Sequence, residues 1–289
     1  MFLDWDDTLF PTTALFQTWG LRRDFPARGL PEGLGGLLED WGAALKDFLA
    51  AACAMSERCI IVTNSKRPWV QTCIEHFAPA AGLLDAAGEW TIGQSRLSVV
   101  YALEVAATKR RTSRSSMRPV LNEAILEEEV TEHLMKAKQV SMQQEAKDFY
   151  SKYPGQTWKN LLSIGDMRYE HVALQEVTFR RVGNERERLR TKAITVPTSP
   201  SMGQISARLR CMRHLLYTCV HVDGDLSIDL EGVEEPLQKL GAAFGIPEIT
   251  RLTPLHYAWK EDSAPSNEEL TAALADLARL VQKKALLDF

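Results

Sequence analysis

The 289-residue sequence predicts an open α/β sheet of parallel strands with helices on both faces. Short apolar runs ending in small polar or acidic residues recur at MFLD, RCIIVTNS and KNLLSIGD, as strands buried on both faces do. Segments with apolar residues at helical spacing separate them, and a further short run, AITVP, completes the alternation over residues 1–196. In such sheets ligands sit at the carboxyl ends of the strands, near a topological switch point.

MFLD is a strand that ends in Asp4, followed by a turn at Thr8 and Pro11. After a Pro/Gly-rich start, Leu37, Leu38, Trp41, Leu45, Phe48 and Leu49 fall on one helical face. RCIIVTNS reads as a fully buried strand, and KRPWVQTCIEHFAP as a helix with Pro68 in its first turn. WTIGQ is read as a strand. Residues 108–119 are basic and Ser-rich without apolar period, a loop or insertion. The next 35 residues, to Pro154, have strongly helical composition and make one long helix or two. KNLLSIGD and AITVP are strands, with RYEHVALQEV helical between them. The rest is mainly helical, with a strand-turn-strand expected around Asp223-Gly224 and a capping-box start at Ser266–Glu269. The division expected is a sheet domain over 1–196, carrying an inserted basic and helical segment near 102–135, and a mainly helical extension over 197–289 packed on it.

Composition narrows the functional classes. Net charge is −4 and the pI about 5.9, so no overall field recruits nucleic acid. No apolar run approaches the ~18–20 residues of a membrane span. The five cysteines include no C-x-x-C pair and read as reduced thiols, which points to the cytoplasm or another reducing compartment. The first residues show no basic n-region followed by an apolar h-region and cleavage site, so a secretory signal is not expected among them. A strand that begins at residue 1 is expected of a truncated or processed chain, and an organelle fits if a targeting segment was removed.

The strand ends carry the chemistry. Asp4, Asp6 and Asp7 stand among Phe2, Leu3, Trp5, Leu9 and Phe10, too apolar a setting for a solvated acidic run. Asp4, Asp6 and Thr8 follow the first strand, Thr63, Asn64 and Ser65 the second, and Asp166 with Glu170 a later one. Clustered carboxylates require a cation, and Mg²⁺ with oxygen ligands is the usual one where phosphate is handled. Thr63, the amides after its strand and a helix N-terminus near Pro68 offer donors to a phosphate oxygen.

These motifs resemble those of the haloacid dehalogenase-like (HAD) hydrolases over residues 1–196. FLDWDDTLF is similar to their first motif, an apolar strand followed by D-x-D-x-T. IIVTNS resembles the second, and LLSIGDMRYE the fourth, in the same order along the chain. The resemblance implies a Rossmann-like three-layer sandwich with a central parallel sheet, a small or absent cap and a helical C-terminal appendage. It implies Asp4 as nucleophile, Asp6 as general acid/base, Thr8 as support for the first turn and Thr63 as phosphoryl ligand, with Asn64 and Ser65 beside the substrate. Asp4, the Asp6 carbonyl and Asp166 would hold Mg²⁺, with Glu170 in the outer shell. Two carboxylates on one ion would lie within roughly 4–5 Å, whereas Asp7 is expected to point away and cap a turn or meet solvent. The third-motif lysine is Lys138 by best spacing, with Lys136 next; Lys147 falls mid-helix and Lys159 at the wrong end of its strand.

The activity implied is Mg²⁺-dependent hydrolysis of a phosphate monoester through an aspartyl-phosphate. The intervals 9–58 and 66–136 leave little room for a large cap, so the crevice is expected to be open to bulky substrates such as phosphorylated proteins, a small-molecule phosphate being the other substrate class expected. The alternative is a non-catalytic HAD-like subunit of a larger complex, with a protein partner on the C-terminal helices.

Overall fold

The computed structural model describes residues 1–23, 29–93, 96–112, 123–153, 155–156, 158–167, 171–175, 188–260 and 263–287. Six parallel strands form one sheet: β1 (Phe2–Leu3), β2 (Cys59–Thr63), β3 (Leu97–Tyr101), β4 (Trp158–Gly165), β5 (Arg188–Thr195) and β6 (Leu226–Asp229). Their spatial order is β3-β2-β1-β4-β5-β6. The order reverses between β1 and β4, which makes that boundary the switch point at which open α/β sheets commonly bind ligands.

The alternation of side chains along each strand builds two cores. Leu3, Cys59, Ile61, Leu162, Ile164 and Ile194 point to one face, and Phe2, Ile60, Val62, Leu161 and Ala193 to the other. The first face is covered by α1 (Leu34–Ala54) and α5 (Met202–His221), which pack on one another, with α2 (Trp69–Phe77), α6 (Pro236–Phe244) and α7 (Asn267–Leu287) completing the layer. The second face is covered by α3 (Ala102–Thr112) and α4 (Glu123–Tyr150), through Ala102, Ala137, Met142, Ala146 and Tyr150. This is a Rossmann-like three-layer α/β sandwich. Between β1 and β2 the described residues form turns, a short π-helix at Ala14–Thr18 and α1, and between β2 and β4 they form α2, a 3-10 turn at Pro79–Ala81, β3, α3 and α4; among the described residues neither interval makes a separate domain.

Two local readings are corrected. WTIGQ is not a strand: Trp90 makes a single bridge to Leu84, and the third strand starts at Leu97. Gly93, the fourth residue of WTIGQ, has φ +82°, a backbone conformation that breaks an extended run. Near Asp223-Gly224 the hairpin is replaced by one strand, β6, which pairs in parallel with β5 from Lys192↔Leu226 to Thr195↔Asp229. The C-terminal part is mainly helical, and it also extends the sheet. The helix before β4 is continuous through residue 150, within the basic and helical insertion and beyond it.

Helix ends follow the sequence. Ser266 and Glu269 close a capping box at α7, and Ser201 with Gln204 closes another at α5. All five cysteines are buried and unbridged. Among the described residues no helix is long and apolar enough to cross a membrane.

Candidate active site

The register fixes where the strand-end residues meet. Leu3 pairs with Ile61 on one side and Ile164 on the other, and the Asp4 amide continues the ladder by donating to Ile164 O at 2.9 Å. Asp4 is therefore lateral to Gly165, one residue short of Asp166. From ~4.8 Å between strands and ~3.3 Å along one, their Cα atoms lie roughly 6 Å apart. Both side chains are buried.

Asp4 meets a cation there. Lys138, on α4 and 2% exposed, places Nζ 2.5 Å from Asp4 Oδ1. Burial raises the Asp4 carboxyl above its ordinary value, and the Lys138 charge and hydrogen bond pull it back. Helical geometry separates the rival lysines. Two residues along a helix is a rotation of roughly 200°, so Lys136 faces away and donates to Gln139 Oε1 at 2.8 Å. Lys147 is exposed on the same helix, and Lys159 lies at the start of β4 over the Tyr150 ring.

The chain then turns sharply. Leu9 and Phe10 amides both donate to Trp5 O, at 2.9 and 2.8 Å, and Asp7 N donates to Phe10 O at 2.7 Å. Asp7 sits at φ +55°, a conformation Asp tolerates better than bulkier residues. Its carboxylate accepts from Thr13 N at 2.8 Å and from Thr13 Oγ1. Asp7 caps this turn, as read from the sequence. Burial raises its carboxyl and the Thr13 bonds oppose that. Thr8 is buried in the turn, and its hydroxyl has no hydrogen-bond partner among the described residues.

Asp6 faces the end of β2. Its Oδ2 accepts from Ser65 Oγ at 2.9 Å and Thr63 Oγ1 at 3.2 Å; its Oδ1 accepts from Thr12 Oγ1 at 2.7 Å and Trp69 Nε1 at 3.0 Å. The Ser65 amide donates to Thr63 Oγ1 at 3.0 Å, which tightens this loop. Asn64 turns to α4, its Nδ2 3.5 Å from Leu134 O.

Arg208 of α5 closes the assembly from the C-terminal part. It is 3% exposed and donates to Ala258 O at 3.1 Å, Pro197 O at 2.8 Å and Asp7 O at 3.4 Å. Burial pushes its pKa down to about 10, opposed by the negative charges of Asp166, Asp7 and Glu231.

The structure thus brings two clusters, Asp4 with Lys138 and Asp6 with Thr63 and Ser65, to the same end of the sheet, with Asp166 at the adjoining strand end. Glu170 lies outside the described residues. Thr12, Trp69 and Arg208 escaped the sequence reading as site residues. Trp69 read as core or cleft edge. Arg208 carried a signal: a charge on the apolar stripe Ile205, Leu209, Met212 of a helix needs a buried partner.

Magnesium can be tested against these donors. Among the described residues, Asp4, Asp6, Asp7 and Asp166 gather with Lys138 and Arg208 at this end of the sheet, and Asp4 and Asp166 stand at adjoining strand ends. No three His, Cys, Asp or Glu side chains converge as a metal site among those residues. Mg²⁺ commonly takes one or two carboxylates and completes its shell with water and substrate oxygens. The donors fit an ion of that kind shared with a substrate, rather than a closed protein cage. In comparisons with known protein families, curated proteins and solved structures, nothing matches this chain.

Proposed function

We propose that this chain is a Mg²⁺-dependent phosphatase of the HAD type, hydrolysing phosphate monoesters through an aspartyl-phosphate on Asp4. The observation that carries the reading is the buried Lys138 ammonium on Asp4 Oδ1 at the carboxyl end of β1, beside the sheet's switch point. In this reading Lys138 holds Oδ1 and keeps Asp4 ionised against its burial, leaving Oδ2 to attack phosphorus. The same ammonium offsets charge on the phosphoryl oxygens. Asp6 gives a proton to the departing ester oxygen and then takes one from the water that attacks the aspartyl-phosphate, releasing inorganic phosphate and restoring Asp4. To do so Asp6 must turn from some of its present donors, and Thr63 Oγ1 is then available to a phosphoryl oxygen. Held by Asp4, the Asp6 carbonyl and Asp166, with Glu170 in the outer shell, Mg²⁺ would supply further neutralisation of the transferring group. That the described residues of these two intervals form no separate domain supports a crevice open to bulky or protein substrates.

One observation favours a second reading, a non-catalytic HAD-like assembly subunit. Asp4 is already ion-paired and Asp6 already accepts four hydrogen bonds, so the network is satisfied without a substrate. Against it, four buried or half-buried carboxylates are costly to keep where they do no chemistry. Turnover of p-nitrophenyl phosphate with and without Mg²⁺ between pH 5 and 8 tests the choice. Metal-dependent hydrolysis that disappears in Asp4→Asn supports the phosphatase; its absence throughout that range favours the subunit.

A further inference from the structure

The loop that grips Asp6 also carries exposed cations. Ser65 and Trp69 both donate to the Asp6 carboxylate, so the residues between them, Lys66, Arg67 and Pro68, form a short arch beside Asp6. The arch is closed by Trp69 N donating to Lys66 O at 2.9 Å. Arg67 is neutralised: its guanidinium pairs with Glu104 at 3.5 Å and lies 4.8 Å from the centre of the Tyr101 ring. Lys66 is exposed on the same arch.

From the other side comes Arg23, in the connection after the Asp7 turn. Its Cζ lies 5.3 Å from the Phe16 ring centre and 5.7 Å from that of Trp69. Phe16 and Trp69 pack together at 5.7 Å, and both stand on Phe10, itself fully buried. The exposed guanidinium is thus seated on a fixed aromatic platform, one indole ring from Asp6. A cation held beside aromatic rings in this way has less side-chain freedom left to lose on binding. A planar guanidinium and an ammonium on the rim of an acidic floor match an anion next to the reacting phosphate, not another cation or an apolar group.

We propose that Arg23 and Lys66 select phosphate monoesters bearing a second anionic group, a phosphate or a carboxylate, close to the one hydrolysed. This rests on the phosphatase reading and adds the substrate class. The second anion binds at the rim while the scissile phosphoryl group lies at Asp4, so the effect belongs in KM more than in kcat.

Two matched pairs test it: glucose 1,6-bisphosphate against glucose 6-phosphate, and a phosphoserine peptide flanked by aspartates against the same peptide with asparagines. The two pairs distinguish a small-molecule source of the second anion from a peptide one. A charge-assisted contact at a partly hydrated rim is worth about tenfold, so at least one pair should show that preference in kcat/KM. In Arg23→Gln the ratio within that pair should fall about tenfold, and in Lys66→Gln it should fall as well; both positions are exposed, so either variant should fold. If p-nitrophenyl phosphate is hydrolysed but neither pair shows more than a twofold preference, or the preference survives both substitutions, the rim assignment is overturned and the phosphatase reading stands. If none of these compounds is hydrolysed with Mg²⁺, the phosphatase reading fails and the rim assignment with it.

Discussion

Replacing Lys138 by Met removes the cation paired with Asp4 and keeps a side chain of similar length. Asp4 then either stays ionised and buried, which typically costs 3–5 kcal/mol when one partner of a buried pair is lost, or takes up a proton. The second route sets a ceiling. Holding a carboxyl of ordinary pKa 3.8 protonated at pH 7 costs about 3.2 pH units at 1.36 kcal/mol each, roughly 4 kcal/mol. Burial already raises Asp4 in the native protein, so the difference between native and variant should fall below that ceiling. The sign is fixed by proton counts. A carboxyl raised in the folded state binds more protons folded than unfolded, so its contribution is intact below the unfolded pKa and is lost as pH rises through the folded pKa. Lys138→Met raises Asp4 further, so the variant goes on losing stability at pH values where the native protein has stopped. The gap should widen by up to about 1.4 kcal/mol per pH unit between the two folded pKa values. Urea unfolding followed by tryptophan fluorescence from pH 5 to 8 measures it. Adding Asp4→Asn to the variant should recover about 2 kcal/mol or more at pH 7. A gap under about 1 kcal/mol at pH 7 that stays flat with pH would refute the buried pair.

Asp4→Asn alone should fold and abolish Mg²⁺-dependent turnover of p-nitrophenyl phosphate; native-level activity in that variant removes Asp4 as nucleophile. Trp69→Phe deletes the indole N–H donor to Asp6 and should cost about 1 kcal/mol in urea titration, while Thr63→Val removes another donor on the opposite oxygen at a similar cost. Asp7→Val places a β-branched residue at φ +55° and strips the Thr13 cap, so it should cost at least about 2 kcal/mol, whereas Asp7→Asn should cost under about 1; equal losses would contradict the turn. A chain ending at residue 196 loses β6, α5 and Arg208, and the fragment 197–289 loses the sheet it packs on, so neither should show a cooperative thermal transition by circular dichroism.

The alternation of buried runs and helical stripes was enough to read the layered parallel sheet, because a strand buried on both faces must be apolar along its length and a helix packed on it must carry a stripe. The same local logic read the Asp7 turn: an acidic residue between Asp6 and Thr8 in a turning chain has few places to go. It failed where a backbone conformation or a distant partner decided the outcome. Gly93 breaks WTIGQ through a positive φ that a propensity reading does not register. Leu226–Asp229 looks like half a hairpin and becomes a strand because β5 presents an unpaired edge to it. Lys136 and Lys138 are nearly equivalent in sequence; the docking of α4 on the sheet brings Lys138 to Asp4, while Lys136 bonds Gln139 within its own helix. That Asp6 collects donors from Thr12, Thr63, Ser65 and Trp69, and that Arg208 reaches the Asp7 carbonyl from 201 residues away, are products of packing. Periodicity records what each segment must bury, whereas the partner of a buried charge is set by register and helix docking, which bring remote residues within a few ångströms.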